Sequence, residues 1–173
     1  MKSRVFALSG ALAVFAVSAP AVFAHCQIPC GIYDDPARFV EMQEHVTTIE
    51  KSMNEIVALS KEASPNWNQI VRWVMNKEDH ADKLTEIVSY YFMAQRVKPA
   101  DPSDKAASAK YVQQLTLLHR IMVHAMKAKQ TTDLEQCAAM RELIKQFQAS
   151  YLGDTAQHTG GTHQHADGTT HRH

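Results

Sequence analysis

This 173-residue chain has few cysteines, no excess of either charge and few long apolar runs. Its 18 basic residues balance 18 acidic ones, which gives no case for a nucleic-acid-binding protein. The three cysteines are too few for a disulfide scaffold, and the C-x-x-C-H sequence that attaches a c-type haem is absent. Alternating Val, Ile and Thr residues with Asn-Gly or Asp-Gly turns are also missing, so no β-sheet is expected.

The one extended apolar stretch lies at the amino terminus. Lys2 and Arg4 precede a mostly apolar segment over residues 5–17, and Val22-Phe23-Ala24 has the small or branched residues of a cleavage site. The segment is too short to span a bilayer comfortably, so we expect no stable membrane anchor. We expect residues 1–24 to be a signal peptide that signal peptidase removes, and the protein to be periplasmic or secreted. An uncleaved anchor or a misassigned start is the alternative.

Residues 36–152 predict four helices, because apolar residues recur there at steps of three and four. Asp35 is the expected N-cap of the first helix, with Pro36 in its first turn. Prolines break the pattern at residues 64–66 and 97–102, Thr132 and Glu135 form an expected capping box, and Gly153 ends the last helix. The predicted fold is therefore all-α, an antiparallel four-helix bundle.

Each predicted helix has an apolar seam that we expect to face the core. The seam of the second helix is interrupted by Lys77 and His80, so it is polar in the middle. The seams are Phe39, Met42, Val46, Ile49, Met53 and Ile56; Ile70, Trp73, Leu84, Ile87 and Tyr91; Ala107, Tyr111, Leu115, Leu118, Met122 and Ala125; and Cys137, Met140, Ile144, Phe147 and Tyr151.

Residues 153–173 are rich in Gly, Thr, Asp and His and have no large apolar residue, so we expect this tail to be disordered. It is either a solvated tail or a loose metal-binding segment, since neutral imidazoles bind nickel, copper and zinc. Its histidines are His158, His163, His165, His171 and His173.

The segment over residues 25–35 has the densest set of possible metal ligands. Cleavage after Ala24 would give His25 a free amine beside its imidazole, with Cys26 and Cys30 close behind. The amine, the amide nitrogen of Cys26 and two thiolates make a planar N2S2 set, which favours nickel(II) or copper(II) over zinc. The imidazole is then a fifth, axial ligand, and thiolate donation lowers the reduction potential of the metal.

Pro29 and Gly31 supply the turn that brings both sulfurs to one ion, and a cis Ile28-Pro29 bond would tighten it. Tyr33 follows closely enough to place its phenol at the open face of the metal. Alternatively, it packs on the first helix.

The sequence H-C-Q-I-P-C-G-I-Y resembles the nickel hook of the nickel superoxide dismutases, whose pattern is H-C-x-x-P-C-G-x-Y at the mature terminus. The resemblance implies a four-helix-bundle subunit, a homohexamer and one nickel ion per subunit. It also implies that superoxide is converted to dioxygen and hydrogen peroxide. By the same resemblance, His25, Cys26 and Cys30 are the nickel ligands and Tyr33 gates the substrate pocket.

Further roles are implied by the same family. Glu41, eight residues after Tyr33, corresponds to a Glu that hydrogen-bonds the axial imidazole, commonly across a subunit boundary; otherwise it is an exposed acid. Tyr91, in Tyr91-Phe92, corresponds to a second pocket tyrosine. Two departures stand out: Gln27 replaces an Asp near the entrance, and His80 falls where the family has an Arg.

His80 would either bind Glu41 or the axial ring, or be a satisfied core histidine. We expect structural or surface roles for His45, His119 and His124, and a buried apolar role for Cys137.

Three hypotheses follow for the function. The first is a nickel-dependent superoxide dismutase, in which Tyr33, Glu41 and Tyr91 converge on the hook. The alternative is an exported nickel or copper carrier, in which the hook and the tail only bind metal. The third is a structural helical bundle whose cysteines form a disulfide.

Overall fold

The structure, a computed structural model, describes residues 29, 31–153, 163–164 and 170–171. The predicted signal peptide and most of the tail lie outside the described residues. None of the described helices is long and apolar enough to cross a membrane. The elements are α1 (Asp35–Ser60), α2 (Trp67–Glu86), a π-helical segment (Ile87–Arg96), α3 (Lys105–Gln130), α4 (Glu135–Leu152), β1 (His163–Gln164) and β2 (Thr170–His171). The two short strands pair antiparallel, although the sequence has no strand pattern and no sheet was expected.

The four helices form the expected antiparallel bundle. Helix α1 packs against α2 and α4, and α3 packs against the same two helices. Consecutive helices run in opposite directions, as the pairs His45–His80 and Gln114–Ser150 show. The connections at residues 61–66, 97–104 and 131–134 lie where the sequence predicted breaks.

The core confirms most of the predicted seams. Those of α1 and α4 are buried, apart from Ile56 and Tyr151, which are half-buried. The predicted seam of α3 lies to one side of the helix face that is buried, since Tyr111, Leu115 and Met122 are only half-buried. The residues of α3 that are buried are Gln114, Leu117, Leu118, Ile121, Ala125 and Ala128.

Two predicted helix caps are wrong. The N-cap of α1 is Asp34, whose carboxylate accepts from the Ala37 N–H at 3.1 Å, and Asp35 is the first helical residue. At α4 the expected Thr132 capping box is replaced by Asp133, whose carboxylate accepts from the Glu135 N–H at 3.0 Å. A carboxylate two residues before the helix forms a local Asx turn, and this competes with a threonine cap.

Lys77 explains why the α2 seam is polar in the middle. Its side chain is buried, and its ammonium donates to the carbonyl oxygens of Ala128 at 2.8 Å and Lys129 at 2.5 Å. The last carbonyls of a helix have no partner within the helix, and they carry the negative end of its dipole. Lys77 therefore caps the carboxyl end of α3 and ties it to α2.

Candidate functional site

The Asp35 carboxylate is the centre of a hydrogen-bonded cluster at the start of α1. Arg96 donates to it twice, from Nε to Oδ1 at 2.8 Å and from Nη2 to Oδ2 at 2.5 Å. Tyr91 donates to Oδ1 at 2.7 Å and Tyr151 to Oδ2 at 3.0 Å. One carboxylate thus joins α1, the π-helical segment and the end of α4. We call these four residues the Asp35 cluster.

The electrostatics of the Asp35 cluster follow from these bonds. Burial raises the pKa of Asp35, but hydrogen bonds from Arg96, Tyr91 and Tyr151 outweigh burial and leave that pKa below its ordinary value. Burial and the bond to Asp35 raise the pKa of Tyr151 to about 12 and that of Tyr91 further. The bond to Asp35 also raises the pKa of Arg96. Both tyrosines therefore stay protonated at neutral pH and donate to an ionised Asp35.

Tyr33 lies against the Asp35 cluster. The guanidinium of Arg96 stacks over its ring, with Cζ 4.3 Å from the ring centroid. Tyr91 meets the same ring edge-on at a centroid distance of 5.8 Å, and the Tyr33 hydroxyl donates to Gln95 Oε1 at 3.3 Å. Tyr33 is 38% exposed, whereas Tyr91 is 3% exposed. Tyr33 and Tyr91 therefore lie in contact, and Tyr33 is the more open to solvent of the two; whether they converge on the hook with Glu41 stays a prediction, because the hook lies outside the described residues.

The π-helical segment places the side chains of Tyr91 and Arg96 on the same side, where both bind the Asp35 carboxylate. In an α-helix, residues five apart point about 140° away from each other. When backbone hydrogen bonds join residue i to residue i+5, side chains five residues apart lie nearly above one another instead. Such a bond is present here, from the Val97 N–H to the Phe92 carbonyl oxygen at 2.8 Å. π-Helical turns are rare, occur mostly as single turns inside α-helices, and are frequent at functional sites. Apolar periodicity predicted only that α2 continues here.

Glu41 lies nearly two turns after Asp35 along α1 and does not contact Tyr33 or Tyr91 through any described bond. Its carboxylate forms an ion pair with Arg38, whose guanidinium lies 5.2 Å from the centroid of the Tyr91 ring. Its other oxygen is 3.9 Å from Nε2 of His45. Arg38 therefore links Glu41 to the rim of the Asp35 cluster.

His80 contacts His45 rather than Glu41. The two Nδ1 atoms are 2.9 Å apart, so one ring donates and the other accepts, and at least one of them is neutral. Burial lowers the pKa of both rings, with a further lowering of the His45 pKa by His80 and of the His80 pKa by Lys83. His45 is thus the middle member of a chain from His80 to Glu41, which the sequence did not indicate.

The remaining sequence-based assignments have mixed outcomes. His25, Cys26, Cys30 and Gln27, and with them the predicted hook, lie outside the described residues. Gly31 is described and has φ of +83°, a conformation that favours glycine. Within residues 31–153, no group of three or more His, Cys, Asp or Glu side chains is arranged to hold a metal ion.

The other histidines and the third cysteine behave as ordinary parts of the bundle. His119 is exposed, and Nδ1 of His124 is 2.9 Å from Oε1 of Gln136. Cys137 is buried, its sulfur lies 3.8 Å from that of Met53, and burial raises the pKa of its thiol to about 11.

Sequence reasoning missed Asp35, Arg96, Tyr151 and Arg38 as site residues. Asp35 was assigned to helix capping, and Tyr151 to the core seam. The sequence did contain one indication of the cluster. Asp34 and Asp35 are adjacent, and only one of them can be the N-cap. The other carboxylate, in the first turn, needs a partner when it is buried.

The fold and this cluster define an all-α bundle whose first helix is anchored at its start by an aspartate, an arginine and two tyrosines. A family model described as nickel-containing superoxide dismutase matches residues 20–154. The chain belongs to that family, and it is therefore a superoxide dismutase, an oxidoreductase. No curated protein and no solved structure gives a significant match.

Proposed function

We propose that this protein disproportionates superoxide with one nickel ion per subunit, bound by His25, Cys26 and Cys30. The observation that carries the proposal is the family match over residues 20–154, which includes the hook sequence as well as the bundle. The donor set fits nickel, because an amine, an amide nitrogen and two thiolates suit a square-planar ion. When bound, nickel supplies one-electron redox chemistry at a potential lowered by the thiolates.

The reaction needs protons as well as electrons. One superoxide gives up an electron and leaves as dioxygen; a second takes up that electron and two protons and leaves as hydrogen peroxide. Tyr33 is the site tyrosine suited to hold a proton at the pocket, because it is partly exposed. The hydroxyl of Tyr91 is occupied in its bond to Asp35, so we assign Tyr91 to shaping the pocket wall.

Glu41 has a separate proposed role. Its two described partners, Arg38 and His45, leave it 38% exposed, so its carboxylate is open to further contacts. We propose that it would orient the imidazole of His25 in a homohexamer, across a subunit boundary. His45, held by His80, would then contact Glu41 and fix its carboxylate, in place of the family's arginine.

Processing is the remaining part of the proposal. Signal peptidase cuts between Ala24 and His25, the protein is exported to the periplasm or beyond, and the cut creates the amine ligand. The carrier alternative differs here, because a carrier tolerates an extra residue before His25 and an enzyme of this design does not. An added residue turns the amine into an amide and removes one donor.

The test compares three nickel-loaded proteins: the chain beginning at His25, the same chain with one Ala added before His25, and a matched control with one Ala added after His173. We expect superoxide removal and an axial nickel(III) EPR signal in the first and third, and the loss of both in the second. Full activity in the second protein, or no nickel(III) signal in the first, would contradict the proposal. Nickel binding without superoxide removal would favour the carrier.

A further inference from the structure

Among the described residues, the hydrogen-bond and ring contacts of the Tyr33 side chain all come from one element. Tyr33 precedes α1, so no helical hydrogen bond fixes its backbone, and burial is incomplete at 38% exposure. Its side-chain contacts are the Arg96 guanidinium, the edge of Tyr91 and the Oε1 atom of Gln95. All three lie within the π-helical segment. The described contacts of the Tyr33 side chain are therefore all to that segment.

Arg96 is the member of this set that two parallel hydrogen bonds hold in place. Two parallel hydrogen bonds hold its planar guanidinium on Asp35, and such a fork cannot rotate without breaking both. The carboxylate is also fixed, since Asp35 is in the first turn of α1 and accepts from Tyr91 and Tyr151. The bonds to Asp35 use the edge of the guanidinium, and one of its faces stacks on Tyr33. The bundle thus fixes Asp35, Asp35 fixes Arg96, and Arg96 restrains Tyr33.

We propose that Arg96, clamped on Asp35, is the positioning residue for Tyr33, and that this stack holds the Tyr33 phenol where superoxide turnover needs it. Arg96 does not itself act on substrate; it acts through Tyr33. The consequence for turnover rests on the proposed function, whereas the restraint on Tyr33 is a property of the bundle and holds without nickel.

The restraint is tested on nickel-free protein, from His25 to His173, carrying 3-fluorotyrosine. The ¹⁹F signal of Tyr33 is assigned with Tyr33→Phe and compared in Arg96→Met, Arg96→Lys and the matched control Arg141→Met. Arg141 also joins two helices by binding Glu50, at 30% side-chain exposure against 28% for Arg96. In both Arg96 variants we expect the ¹⁹F chemical shift of Tyr33 to move at least halfway towards its value in the urea-unfolded protein. In Arg141→Met we expect it to keep its value in the parent protein.

Three outcomes of this experiment overturn the proposal: a Tyr33 signal that does not move in Arg96→Met, one that moves equally in Arg141→Met, or one fully restored in Arg96→Lys. The last would mean that charge alone is enough and that the two-bond clamp is not needed. Far-UV circular dichroism checks that each variant folds. If Arg96→Met does not fold, Arg96→Lys carries the test, because it keeps the charge and loses the planar fork.

The consequence for turnover is tested by a double-mutant cycle on nickel-loaded protein. We expect Arg96→Lys to lower the rate constant for superoxide removal about tenfold, since misplacing a reacting group by about 1 Å can cost up to about a hundredfold. In a Tyr33→Phe background the same change should have no further effect. Additive losses would refute action through Tyr33. An inactive parent protein would instead refute the proposed function, while the ¹⁹F result would still stand.

Discussion

The change Asp35→Asn tests whether the Asp35 cluster holds the start of α1 in place. Asparagine keeps the size and shape of the side chain but removes its charge and replaces one acceptor oxygen by an NH₂ group. In either orientation that group faces two donors, Arg96 and one of the two tyrosines, Tyr91 or Tyr151. The guanidinium of Arg96 is left partly buried with no opposite charge within the cluster.

The magnitude follows from the burial of the pair. The side chains of Asp35 and Arg96 are 13% and 28% exposed, so the pair lies between two measured regimes. Exposed ion pairs contribute about 0–1 kcal/mol, and breaking a buried pair costs about 3–5 kcal/mol. We therefore expect Asp35→Asn to lower the free energy of unfolding at pH 7 by about 3 kcal/mol. For a domain of this size, that corresponds to a fall in Tm of roughly 10 °C.

The assay is urea unfolding at one fixed protein concentration, followed by circular dichroism between pH 2.5 and 7. The pKa of Asp35 in the folded protein lies below its ordinary value of 3.8, so its stabilising contribution is present at neutral pH. That contribution is lost as the pH falls below about 4 and Asp35 takes up a proton. The difference between parent and variant should therefore shrink in that range, because a protonated Asp resembles Asn.

Asp34→Asn is the matched control. It removes the same charge at the neighbouring position and keeps the helix cap, since Asn caps as well as Asp. We expect it to change the free energy of unfolding by less than about 0.5 kcal/mol. Equal effects of the two substitutions, or an Asp35→Asn effect that does not shrink at low pH, would refute the reasoning.

Two further predictions concern the rest of the bundle. Because the pKa values of His45 and His80 lie below 6.5, the free energy of unfolding should fall as the pH drops below about 6.5, where the unfolded chain binds protons first. Replacing both by Gln should flatten that slope between pH 5 and 7 in urea titrations, and an unchanged slope would contradict the assignment. Because burial raises the pKa of the Cys137 thiol to about 11, iodoacetamide at pH 8 should modify it only as fast as the protein unfolds. Mass spectrometry of a Cys26→Ser/Cys30→Ser chain measures this, and rapid labelling of the folded protein would refute it.

Much of the fold follows from local sequence, and the errors have physical causes. The seams of α1 and α4 were predicted correctly because their apolar residues recur along one face. The α3 seam was misplaced because α3 has additional apolar residues beside that face, and packing against α2 and α4 selects among them. Leu117 and Ile121 are buried, whereas Leu115 is half-buried.

The sequence by itself determined the family, and it predicts a ligand set, because the candidate ligands His25, Cys26 and Cys30 lie within six residues of one another. It also determined the number of helices and their breaks. Only the tertiary structure decided that Asp35 binds Arg96 and Tyr151, which are 61 and 116 residues away along the chain. Such a cluster leaves no local periodic signal, since it depends on the π-helical register and on which helix ends meet. The restraint on Tyr33 arises from these long-range contacts, and it is the part of the site that a sequence motif does not encode.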